Sequence, residues 1–332
     1  MNSVFAPPRP LLRHARAFIW LLLFAAPFAA ANLRAQAPLP VVLYRTEFEF
    51  SEGYRTAFEL AGQNNWISAG AGGNGIITNA FAGQGQQAFI GFNPPTGGNS
   101  YVTLFRPLDF SPLESGLPIV RFKVQMSIID STTGGRDSFR WSVYTTNGAR
   151  LLTLDFDNQT LGISYLLEGG TNYTSLTNTF ANDITYTLEL ILNFQRNRWS
   201  AWFGNQEIIS LQPITTRNTP LSLGDIDAVY FVNNAASPGN NYMIFDDYTV
   251  SVEPIANTQP LLQPVGYDTQ RLFTFRAFVE PLVRNTIEFS TDLRQWQTLQ
   301  THAAPDPYFE FRDTSAIPGA PARFYRIRSV DP

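Results

Sequence analysis

The 332-residue sequence has no cysteine, a single lysine (Lys123) and two histidines, and only 15% of it is charged. Each scarcity removes a class of protein. Without cysteine there is no disulfide framework, so an exported chain of this composition draws its stability from core size or from bound metal. His14 lies near the N-terminus and His302 near the C-terminus, so the long middle carries neither imidazole nor thiol. A Ser-His-Asp or Cys-His triad and a histidine-built zinc site are excluded there. Removing residues 1–31 takes away three arginines and no acid, moving the formal charge from −4 to −7, while residues 265–332 hold eight arginines and eight acids. The negative excess therefore lies in the larger part of the chain, and a partner made of nucleic acid, which needs a clustered cationic surface, is not expected.

Hydrophobic residues make up 44% of the chain, enough for a sizeable core. Arg9, Arg13 and Arg16 precede "AFIWLLLFAAPF", residues 17–28, a run too short to span a bilayer and followed by small residues. That is the pattern of a secretory signal, with cleavage expected after Ala31. No later stretch reaches transmembrane length, so the mature chain is expected to be secreted or held at the cell surface of a bacterium by other means.

From Val41 onward, short segments rich in Phe, Tyr, Trp, Val, Ile and Thr recur between Gly, Asn, Pro and Ser. In "ITYTLELILNF" a period of two puts Ile184, Tyr186, Leu188, Leu190 and Leu192 on one face. "RWSAWFGNQEIIS" reads as a hairpin turning at Gly204-Asn205. About a dozen such strands with nothing helical between them predict an all-β fold, a two-sheet antiparallel jelly-roll sandwich. "EPIANTQPLLQP" carries three prolines, and a linker is placed at 254–264. A small C-terminal β-sandwich is expected over 265–332.

The motifs "GQNNW" (62–66), "GQGQQAFIGF" (83–92), "SFRWSVYTTNGARLLTLDFD" (138–157), "RWSAWFGNQEI" (198–208) and "FDDYTV" (245–250) follow one another in an order that resembles the laminin-G-like jelly rolls of the concanavalin A-like lectin/glucanase superfamily. The resemblance spans residues 43–253. "IEFSTDLRQWQTL" with "FRDTSAIPGAPARFYRIR" resembles the small fibronectin-III-like modules appended to exported bacterial proteins, which implies a position at the cell surface.

Catalytic sets are missing. The E-x-D-x-x-E run by which retaining glucanases of this superfamily aim their acids from one strand does not occur; Glu47 with Glu49 and Asp155 with Asp157 each lack the third acid. "RTEFEF" (45–50) matches the opening strand of jelly-roll polysaccharide lyases, but their Gln-x-His and Tyr-Lys-rich strand are absent. In a jelly roll the first and last strands often lie side by side, which would bring Glu47 and Glu49 toward Asp246 and suggests a structural Ca²⁺ held by hard oxygens. Trp66, Tyr173 and Tyr242 lie in loops among Asn and Gly, a flat apolar face beside donors and acceptors, as sugar binding requires. The expected function is non-catalytic binding of a glycan or other extracellular polymer. A jelly-roll glycoside hydrolase or lyase and a purely structural envelope or adhesion component are the rival classes.

Overall fold

The computed structural model describes residues 39–96, 99–256, 259–316 and 322–330, so the predicted leader lies outside it. Strands run in chain order as β1 (Val41–Thr46), β2 (Ile67–Ala69), β3 (Asn74–Thr78), β4 (Gln86–Gly91), β5 (Tyr101–Phe105), β6 (Ile119–Ile129) and β7 (Ser138–Tyr144). Next come β8 (Arg150–Asp157), β9 (Gly162–Leu167), β10 (Thr174–Thr179), β11 (Tyr186–Asn193), β12 (Arg198–Phe203), β13 (Gln206–Pro213), β14 (Asp225–Phe231) and β15 (Tyr242–Glu253). The tail holds β16 (Leu261–Tyr267), β17 (Phe273–Phe278), β18 (Arg284–Ser290), β19 (Gln297–Ala303), β20 (Tyr308–Arg312) and β21 (Phe324–Ser329). No helix among the described residues is long and apolar enough to cross a membrane.

The fold is all-β. An eight-stranded sheet ordered β13-β12-β11-β6-β15-β4-β3, with β1 also paired to β15, faces a seven-stranded sheet ordered β10-β9-β8-β7-β14-β5-β2. The tail forms two three-stranded sheets, β16-β17-β20 and β19-β18-β21. Every strand pair is antiparallel, as short connections without helices demand.

Alternation explains why the two large sheets close on each other. Phe139, Trp141 and Val143 on β7, Leu152, Leu154 and Phe156 on β8, and Leu188, Leu190 and Leu192 on β11 are fully buried in one core. Trp141 meets Phe122 at 5.0 Å and Phe245 at 5.5 Å between ring centroids. Side chains of that size each contribute on the order of 2–3 kcal/mol by leaving water. The β12–β13 hairpin turns at Gly204, whose φ of +60° is available to glycine without strain.

The linker expectation is modified at its C-terminal end. Residues 261–264, Pro264 included, belong to strand β16 rather than to a connection, because β16 is an edge strand, where a missing N–H costs no ladder bond.

Candidate functional site

The first and last long strands of the sandwich are neighbours: Thr46 pairs with Tyr248 and Val42 with Ser251. The carboxylates do not follow. Past Thr46 the chain leaves the strand, with Phe48 at φ +54° and a 3-10 turn at Phe50–Glu52, so Glu47 and Glu49 do not share a strand face. Glu47 turns outward to Arg45. Glu49 accepts from the Gln86 N–H at 3.0 Å, and Glu52, unremarked in the sequence, gathers Thr46 Oγ1 at 2.9 Å and the Glu47 and Glu49 N–H groups at 3.0 Å. Of the expected Ca²⁺ set, Glu47 stands apart, while Glu49 lies near enough for its charge to act on Asp246. Among the described residues no three His, Cys, Asp or Glu side chains are gathered to hold a metal.

The adjacent pair Asp246-Asp247 has a backbone explanation. β15 pairs with β4 up to Phe245 and with β1 from Tyr248, and the bulge between Asp246 and Thr249 accommodates the change of partner. Asp247 takes φ +51°, and Asp246 Oδ1 accepts its N–H at 2.8 Å. Asp247 in turn accepts from Gln125. Asp246 is 2% exposed, and burial, reinforced by the charges of Asp247 and Glu49, pushes its carboxyl up to about 7 against the pull of its hydrogen bonds.

A measurable pH slope follows. The folded chain keeps a proton on Asp246 that the unfolded chain releases near pH 4, so stability is fully present below pH 4 and is lost as pH rises to about 7. Each pH unit in that window is worth at most about 1.4 kcal/mol. Asp246→Asn, which still caps the Asp247 N–H, should flatten the urea-unfolding midpoint between pH 4.5 and 7; an unchanged slope would assign the titration elsewhere.

The three predicted aromatics part company. Trp66 is 1% exposed, donates Nε1 to Tyr54 at 3.1 Å and Tyr44 at 3.2 Å, and meets Tyr248 edge-on at 5.2 Å; it is a core residue, with no face left for a ligand. Tyr242 is half-buried on the outside of the eight-stranded sheet, against Phe89 and the half-exposed Phe92. Tyr173 lines a groove. It lies on the outer face of the seven-stranded sheet, with a volume of about 300 Å³.

Strand alternation builds that groove. With Phe139, Trp141 and Phe156 turned into the core, Ser138 and Arg140 on β7 and Asp155 and Asp157 on β8 must face out, and Ser164 on β9 lies opposite Asp155. Arg140 Nε donates to Asp155 Oδ1 at 2.6 Å, and the guanidinium lies 3.9 Å over the Phe231 ring and 5.3 Å from that of Tyr173. Burial raises the Asp155 carboxyl above its ordinary range and the Arg140 charge works against it. Asp157 accepts from Gln159 N–H at 2.9 Å and Thr160 Oγ1 at 2.8 Å. A larger hollow of about 390 Å³ in the tail, beside Tyr267 and Thr274, has its arginine already paired, Arg312 to Asp268 at 2.8 Å.

The same outer face carries a pair that the sequence reading passed over. Asp225 and Asp227 on β14 lie opposite Tyr144 and Ser142, two positions apart on one strand face, where the charge of one acts on the other. Asp227 is 5% exposed, and its Oδ1 has no hydrogen-bond partner among the described residues. Burial pushes both carboxyls up, Asp227 well above the usual carboxylate range, and neither forms an ion pair among the described residues. The D-x-D spacing in "DIDAVYF" was available as a signal, being the same period-two pattern as in "TLDFD".

No family model matches this chain, and no curated protein matches it. Among solved structures it is similar to a carbohydrate esterase, vb_24B_21, from the Shiga toxin-encoding bacteriophage phi24B, with 14% identity over 65% of this chain and 100% of that one and a TM-score of 0.45. It is similar to a GH131 beta-glucanase catalytic domain from Podospora anserina at 12% identity, covering 63% of this chain and 95% of that one with a TM-score of 0.43. It is also similar to basic winged bean lectin, solved with Tn-antigen, at 7% identity, covering 65% of this chain and 99% of that one with a TM-score of 0.43.

Proposed function

We propose that this is an exported, non-catalytic protein that binds a glycan in the groove on the outer face of its seven-stranded sheet. The observation that carries the reading is the placement of Tyr173, a half-buried ring on a groove wall, beside a guanidinium fixed in orientation by Asp155 and Phe231 and among serine hydroxyls. A sugar presents a flat C–H face and a rim of hydroxyls, and this wall offers a ring for the first and donors and acceptors for the second. Export rests on the leader-like residues 9–31.

The carboxylates speak against glycoside cleavage. Asp155 is committed to Arg140, and Asp157 to the turn that follows it.

Screening the full chain on a glycan array, then titrating the best ligand by calorimetry, tests the proposal. Tyr173→Ala should weaken binding about 5- to 30-fold, the equivalent of about 1–2 kcal/mol for a stacked ring, and Tyr242→Ala should leave it unchanged. Release of reducing ends from the bound glycan would overturn the non-catalytic reading. The opposite ranking of the two tyrosines would move the site to the other sheet.

A further inference from the structure

We infer that the groove selects a neutral sugar and grips it through two adjacent free hydroxyls, held between Arg140 and Asp155. The inference rests on the glycan-binding reading and narrows it to a ligand class. Its basis is an unfinished hydrogen-bond set. Arg140 is immobilised by Nε on Asp155 Oδ1 at 2.6 Å and by its face on Phe231 at 3.9 Å, yet its two terminal amino groups meet no acceptor among the described residues. Asp155 has one oxygen engaged by Arg140, and its other oxygen accepts nothing there. Donors and an acceptor are therefore presented side by side with their geometry already fixed, so little ordering is left for binding to impose.

A hydroxyl both donates and accepts. Two hydroxyls on adjacent ring carbons can take the Arg140 N–H groups with their lone pairs while one donates to Asp155, completing both side chains at once. A carboxylate or sulfate satisfies only half of this pattern. It would accept from Arg140 and would place its charge against Asp155 and against Asp157, which lines the same groove. The groove wall carries one cation and two carboxylates, in a chain whose formal charge is already −4. An acidic sugar would thus meet net repulsion where a neutral one meets a matched pair, and Tyr173, 5.3 Å from the guanidinium, is placed to cover the sugar's C–H face.

The test uses the full mature chain and calorimetric titration with neutral oligosaccharides, namely glucan, mannan and galactan fragments, beside a polyuronate of equal length. At least one neutral fragment should bind and the polyuronate should not. Mild periodate oxidation of the binding fragment, which cleaves the carbon–carbon bond between adjacent hydroxyls, should reduce affinity at least tenfold; this arm needs no variant. Arg140→Lys keeps the charge and loses the planar fork, and should also cost at least tenfold, with its melting temperature measured alongside to confirm folding. Binding that survives periodate, or a polyuronate that binds as tightly as the neutral fragments, overturns the inference while leaving Tyr173-dependent glycan binding in place. Failure of every glycan to bind overturns both.

Discussion

Asp227→Asn should make this protein more resistant to alkali: its urea-unfolding midpoint should fall less steeply than that of the wild type as pH rises from 4, because burial holds the Asp227 carboxyl well above the usual carboxylate range. Asp225 and Asp227 lie two positions apart on the outer face of the central strand β14, and no arginine or lysine among the described residues is ion-paired to either. The groups facing them add little relief. Tyr144 and Ser142 lie across on β7, the charge of Asp109 pushes Asp225 further up, and Arg150 lies near enough to act on Tyr144. One proton between the two carboxyls is what satisfies them. The unfolded chain gives that proton up near pH 4, while the folded chain retains it to a much higher pH, so stability is greatest in acid and is lost as pH climbs through the pair's raised titration. Asparagine at 227 keeps a permanent donor toward Asp225 and cannot titrate. Because both slopes begin near pH 4 and that of Asp246 ends near pH 7, the two variants should add in the window they share. Parallel curves for wild type and Asp227→Asn above pH 4 would show that the pair does not hold the proton.

What the sequence made legible was the interior. Strict alternation identified Leu188, Leu190 and Leu192 as one buried face because a two-sheet sandwich hides one side of each central strand and leaves a period of two in the chain. The strands that escaped notice are β2, β3, β10 and β16, and each is the edge of its sheet. Edges carry less apolar alternation by nature: β10 is "TSLTNT", largely exposed, β3 contains Gly75, and β16 contains Pro264 and Gly266. Of the six residues named from the sequence, one lines the groove on the seven-stranded sheet. Tyr173 reached the groove. Trp66 was misplaced because a loop of Asn and Gly looks solvent-facing in sequence, while in the fold "GQNNW" tucks its last residue under Tyr44 and Tyr54. Glu47 and Glu49 failed as a strand pair because a non-glycine residue, Phe48, adopts a positive φ that composition does not announce. Arg140, the best-ordered polar group in the groove, was invisible since its value comes from a cross-strand partner fifteen positions away.

The second large effect concerns how the tail is held. Glu280→Ala should cost about 1–3 kcal/mol and separate thermal unfolding into two transitions, because it leaves the buried Asn193 amide short of an acceptor and removes a two-pronged contact from the part-exposed Arg196. The Glu280 side chain is 3% exposed and accepts from Arg196 Nε at 2.9 Å and Nη2 at 2.8 Å, a two-pronged contact, and from Asn193 Nδ2 at 3.1 Å. Asn193, fully buried at the end of β11, also donates to the Pro281 carbonyl at 2.9 Å. Next to this clamp Leu282 packs on Ile119 and Ile191, which alternation turns to the outside of the eight-stranded sheet, and Arg121 reaches the Pro305 carbonyl at 2.5 Å. A tail module of this kind is commonly a loose spacer, and such a spacer would show neither a shared apolar plug nor a buried carboxylate across the contact. Leu282→Ala, expected to cost about 2–4 kcal/mol by the cavity it leaves, provides an uncharged control on the same contact. If both variants melt in one step at the wild-type temperature, the tail is not clamped. If they part the transitions as expected, the tail is fixed to the sheet opposite Tyr173 and Arg140. The groove beside Tyr173 is then left open by construction, since the tail is held on the other side of the sandwich.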